Sequence, residues 1–137
     1  MDVFFDTNVI SELFRKRPAQ PVVDFVRRCE RPWISVAVFH ELLFGFERLA
    51  DSAGRTRLGL FLDQLRGQFR GRTVDVDLAI AESAGAMRGA AARQGWVLSE
   101  MDSLIAATAA ARSAQLATRN TRDFERLGIP LVDPWRT

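Results

Sequence analysis

Short apolar runs alternate along this chain with longer stretches of helical periodicity, the order expected of an α/β protein. The runs predict strands at Val3 to Phe5, Trp33 to Val36, Thr73 to Val76, Gln115 to Thr118 and Pro130 to Val132. Between them the periodicity predicts helices starting near Asn8, Val22, Val36, Arg57, Leu78 and Asp102, with a further turn near Arg122. A helix between successive strands implies crossover connections, hence a mostly parallel sheet of about five strands. No linker, low-complexity tract or repeat interrupts the pattern, so residues 1–137 read as one domain.

In a sheet of this kind ligands sit outside the carboxyl ends of the strands, which directs attention to the acidic residue closing the first strand. Asp6 follows Val3 to Phe5 and precedes a helix whose early turns hold Thr7, Asn8, Ser11 and Glu12. An aspartate there is either a simple helix N-cap or a ligand facing the crevice; the neighbouring hydroxyl and amide groups suit the second role. Asp102 leads the stripe of Ile105, Ala106 and Ala109, with small residues behind it that let the helix lie close to the sheet. Glu41 projects to the flank of its helix beside Val38 and Gly45, where an ordinary exposed acid would look the same. Asp123 reads equally as first-turn helix charge. Should the fold gather these four carboxylates, their mutual repulsion would call for a divalent cation.

Composition narrows the class. Apolar residues make up 47% and charged residues 26%, the balance of a packed protein and not of a disordered or membrane chain. The chain carries neither a basic leader nor a long apolar segment, and its lone Cys29 has no internal partner, so a cytoplasmic protein without a membrane span is expected. The net charge is only +2, yet every basic residue except Lys16 is arginine. Arg66, Arg70 and Arg72 in RGQFRGR read either as a phosphate-binding rim or as a solvated helix end.

Four segments, DTNVISEL from Asp6, HELLFG around Glu41, DSLIAATA from Asp102 and ATRNTRDFERLGIPLVDPW from Ala117, stand in the order and spacing by which the chain resembles the PIN-domain ribonucleases, most closely the VapC toxins of bacterial toxin–antitoxin pairs. That resemblance implies a three-layer α/β/α fold around a parallel sheet. It also implies a magnesium-dependent endoribonuclease, with manganese as a substitute, and assigns Asp6, Glu41, Asp102 and Asp123 to the acidic metal site with Thr7, Asn8, Ser11 and Asn120 as polar helpers. Asp6 and Asp102 are the expected direct metal ligands; Glu41 and Asp123 are expected to act directly or through water. The resemblance further implies a small DNA-binding, VapB-like antitoxin that covers the acidic crevice with an arginine, and a homodimer. Phe39 to Phe46 and Phe61 to Phe69 are the candidate dimer surfaces, though they read equally as core. His40 and Glu100 lie beside the motif acids and are expected to be structural or surface residues.

The residue inventory also argues for a mechanism. RNA cleavage through the 2′-hydroxyl generally needs an acid and a base, often histidines, and His40 is alone. Hydrolysis by metal-activated water is the chemistry carboxylates serve, leaving 5′-phosphate and 3′-hydroxyl ends. A housekeeping PIN-domain RNA-processing nuclease is the alternative. A magnesium-dependent phosphoryl-transfer domain is more remote, because Lys16 is too early in the chain and Asn8 replaces the second aspartate of the dehalogenase pattern. A dinucleotide-binding module lacks its glycine-rich turn.

Overall fold

Each of the first two strands ends at a residue whose side chain starts the next helix, and this sets where the chemistry falls. The computed structural model describes residues 1–137. Strand β1 (Val3–Phe5) gives way at Asp6 to helix α1 (Thr7–Phe14), followed by α2 (Gln20–Arg28). Strand β2 (Pro32–Ser35) stops where Ser35 caps α3 (Val36–Glu47), its hydroxyl accepting a hydrogen bond from Ala37 N at 3.1 Å. Val36 is therefore the first residue of a helix and not the last of a strand. Helix α4 (Ala53–Gln68) begins four residues before the expected Arg57, because Ser52 caps it by accepting from Arg55 N; the polar start SAGRT offers no apolar period to mark that turn.

Strand β3 (Thr73–Val74) leads through the Asp77 cap to α5 (Leu78–Arg93) and then α6 (Glu100–Ala111). Gly95 takes φ +86° and Trp96 N donates back to Ala91 O, an ending that reverses the chain sharply enough for α5 and α6 to pack side by side. Strand β4 (Gln115–Ala117), helix α7 (Thr121–Glu125), strand β5 (Leu131–Val132) and a 3-10 turn (Pro134–Arg136) complete the chain.

The five strands are all parallel, in the order β3-β2-β1-β4-β5. The chain thus builds outward from β1 to β2 and β3, then returns through α5 and α6 to lay β4 on the other side of β1. That reversal leaves a crevice beyond the carboxyl ends of β1 and β4. Phe4, Phe5, Ile34 and Leu116 from the central strands are fully covered, as are Val9, Ile10 and Val22 from α1 and α2 and Ile105, Ala106 and Ala109 from α6. Burying each of the larger side chains contributes about 1.5–3 kcal/mol. Alanines along α6 allow its close approach, as the sequence suggested. Phe69 is buried and Phe61 half-buried, so that segment is core, whereas Leu43 and Phe44 of α3 are exposed. No helix is long and apolar enough to cross a membrane.

Candidate active site

The register of β1 against β4 decides the centre of the crevice. Phe5 pairs with Ala117, so the next residue on each strand, Asp6 and Thr118, emerge side by side. The Asp6 carboxylate is buried and receives three hydrogen bonds: Thr7 N donates to Oδ1 at 2.8 Å, and Thr118 Oγ1 and Asn8 Nδ2 donate to Oδ2 at 2.7 and 3.2 Å. An ordinary N-cap accepts from the second or third helical N–H. Here the bond to the first residue and the pull of Thr118 turn the group toward the sheet edge.

Around it, α1 supplies Thr7, Asn8, Ser11, Glu12 and Arg15, α3 supplies Glu41, α6 supplies Asp102, the β4–α7 loop supplies Arg119 and Asn120, and the terminal 3-10 turn supplies Trp135. Together they line a cleft of about 460 Å³. Thr7 Oγ1 donates to Glu41 Oε1 at 2.5 Å, tying α1 to α3. Asn8 bridges the strands as well: its Nδ2 donates to Thr118 Oγ1 at 3.3 Å, while its Oδ1 accepts from Arg119 N at 3.3 Å. Thr118 Oγ1 accepts from Asn120 N at 2.9 Å, which fixes the start of the loop. Asp123 does not line the cleft. It lies behind Asn120, whose Nδ2 donates to Asp123 Oδ2 at 3.4 Å, and acts on the cleft through its charge.

The electrostatics follow from burial without neutralisation. Burial raises the pKa of Asp6 from 3.8 to about 6; the negative charges of Asp102 and Glu41 add to the rise, against the hydrogen bonds from Thr118 and Thr7. Asp102 is likewise raised, first by burial and then by Asp123, with Ser99 opposing. None of Asp6, Glu41, Asp102 and Asp123 forms an ion pair, although Arg15 and Arg119 stand in the same cleft. Arg15 is committed to Glu12 at 3.3 Å. Glu12 is held below the usual carboxylate range by the Ala19 N–H, with Arg15 helping. No three acidic, histidine or cysteine side chains stand close enough together to ligate an ion directly. Two carboxylates with several water molecules are what magnesium usually takes from a protein, and an all-oxygen set with uncompensated charge suits that hard cation. The donor set therefore fits it.

Of the eight residues singled out in the sequence, seven line the cleft and Asp123 stands just behind it. Sequence reasoning passed over Thr118, Arg119 and Trp135 as site residues. Thr118 was readable in principle as the residue one step beyond a strand end beside β1; Arg119 and Trp135 needed the path of the loop and of the terminal turn. His40 is exposed, and Glu100 is exposed and 3.9 Å from Arg88. Arg72 donates to Pro32 O and Gln68 O, so it secures the amino end of the sheet and does not rim the cleft. A larger groove of about 540 Å³ between α3 and α4 contains Asp51 and Asp63, but these face Arg55 and Arg66 and gather no excess charge.

The PIN domain profile matches residues 3–130. The chain belongs to the PIN-domain family. Within that family it is similar to the VapC ribonuclease Y4jK of Sinorhizobium fredii, 32% identical over 97% of this chain and 97% of the relative. It is also similar to Toxin FitB of Neisseria gonorrhoeae, 31% identical over 97% of this chain and 98% of that protein. Among solved structures, a DNA-bound VapBC from Salmonella typhimurium superimposes with a TM-score of 0.81 at 26% identity, covering 98% of each chain. The five-stranded parallel sheet with helices on both faces is the PIN fold.

Proposed function

We propose that this PIN domain, residues 1–137, is a VapC-type toxin: a divalent-metal-dependent endoribonuclease that hydrolyses RNA phosphodiester bonds and restrains growth until an antitoxin neutralises it. The observation that carries the reading is a buried, unpaired Asp6 beside Asp102 and Glu41 in a cleft at the strand ends of a PIN fold. The names of the relatives, a ribonuclease and a toxin, support the same activity. Asp6 and Asp102 would hold magnesium, or manganese in its place. When bound, the cation would neutralise the cluster, acidify a water molecule and stabilise charge on the phosphate oxygens.

The protein's own residues do the positioning. Thr118, Thr7 and Asn8 fix the Asp6 carboxylate in one orientation, and Thr7 does the same for Glu41. Glu41 then orients the attacking water, and Asp123 reaches the site through Asn120 and through the pKa of Asp102. Ser11, exposed at the cleft wall, is placed to donate to the RNA backbone.

The partner is a small DNA-binding protein of the VapB kind that covers the cleft and sets an arginine against the carboxylates; the VapBC complex solved on DNA supports this. The exposed Leu43, Phe44, Leu49 and Leu60 are the surface on which two copies of the toxin would meet. A cytoplasmic location is part of the same proposal, since RNA and a DNA-binding partner would both be met there.

Incubating the purified protein with total RNA and magnesium or manganese, then mapping the cut ends, tests the reading. New 5′-phosphate and 3′-hydroxyl ends are expected. Cyclic 2′,3′-phosphates would overturn the hydrolytic mechanism, and intact RNA under both metals would overturn the nuclease reading.

A further inference from the structure

Trp135 is the only hydrophobic side chain in the lining of an otherwise polar cleft. A tryptophan serving the core alone would be fully covered; this one is half-buried, packed in part against the core and lining the cleft with the rest. Its position is set firmly. Pro134 is buried, Asp133 Oδ1 accepts from Trp135 N at 2.9 Å, and the turn that carries it packs on α2. Arg119, exposed, lies over the ring, its guanidinium carbon 5.2 Å from the ring centroid and its backbone N–H held by Asn8 Oδ1. Unlike Arg15, Arg119 has no carboxylate within ion-pair distance. Its guanidinium meets only the ring and, at longer range, Glu12, so a base that takes its place on the ring would release it to a phosphate.

A rigid aromatic face next to an unpaired arginine is how proteins hold single-stranded nucleic acid. The base stacks on the ring, tolerant of sequence because every base has a π-face, and the cation takes the adjoining phosphate. We propose that Trp135 and Arg119 form a stacking platform for one unpaired base of the RNA, placing the phosphate beside it over Asp6 and Asp102. This rests on the nuclease reading and names the two side chains of this chain that would meet an unpaired base. Trp135 and Arg119 are positioning residues. They touch the substrate and leave the reacting atoms to the carboxylates.

The test uses the Asp6→Asn protein in magnesium buffer, with gels confirming that the probes stay intact, and measures by fluorescence anisotropy the binding of two oligomers about a dozen nucleotides long. One is oligoadenylate and the other is an abasic strand with the same number of phosphates. Oligoadenylate is expected to bind about 10-fold tighter. Trp135→Ala should erase that difference by weakening oligoadenylate alone, and Trp135→Phe should restore most of it, which a merely structural loss would not do. Arg119→Ala should weaken both oligomers alike and lower the slope of log affinity against log salt by about one. Equal binding of the two strands, no binding of either, or a base preference that survives Trp135→Ala would overturn the proposal. The two readings fail separately: base-dependent binding in a protein that cuts no RNA would sink the nuclease and spare the platform, and cutting without base-dependent binding would do the reverse.

Discussion

The two ends of the sheet use the same residue types to opposite purpose. At the amino ends of the strands, arginines are spent on the fold: Arg72 donates to Pro32 O and Gln68 O and lies over Phe69, and Arg112 lies over Trp33 at 4.3 Å. At the carboxyl ends, buried Asp6 and half-buried Asp102 and Glu41 are paired with no arginine, although Arg15 and Arg119 line the same cleft. A domain needing stability alone would pair those acids. Leaving charge buried and unpaired costs free energy that only a ligand returns, so the contrast between the ends marks the functional one.

Substitutions at the two ends should therefore separate activity from stability. The largest effect is expected at the acidic end: Asp6→Asn and Asp102→Asn should each lower RNA cleavage by about 100-fold or more, with circular dichroism and Tm showing a folded protein. Full activity in both variants would break the comparison outright. Next, Arg72→Ala should cost about 1–2 kcal/mol of stability through two lost hydrogen bonds, read from urea unfolding, and leave cleavage within about twofold. A large loss of activity without loss of stability would mean the amino end also serves the reaction.

Glu12 sharpens the boundary, since it stands in the cleft wall yet behaves like the structural end. Its pKa is lowered by the Ala19 N–H and by Arg15, so its stabilising contribution is complete above the unfolded value of 4.5 and is lost as pH falls through the lower folded value. Glu12→Gln should cost about 1 kcal/mol at pH 7 and make the urea midpoint less steep in pH below about 4.5; an unchanged slope would remove Glu12 from the structural set. The smallest effects belong to His40→Ala and Glu100→Gln, each expected within about 0.5 kcal/mol in stability and without effect on cleavage.

The strands were legible because buried parallel strands are short apolar runs, and Asp6 was legible because it closes the first of them. The ends of β2 and the start of α4 were not, since capping by Ser35 and Ser52 outweighs the apolar pattern over a residue or a turn. Glu41 illustrates the limit on the site. On its own helix it reads as a surface acid, and it becomes part of the cleft only because α3 packs beside α1 and lets Thr7 reach it.

What the sequence determined alone was the alternation of strand and helix and the identity of the acids, because both are written in local periodicity and in residue type. Only the tertiary structure decided that the chain reverses at β1 and β4. That reversal sets Asp6 next to Thr118 across more than a hundred residues, keeps Asp123 one layer behind, and brings Trp135 and Arg119 to the cleft. Those distances are fixed by strand register and helix packing, which no local pattern records.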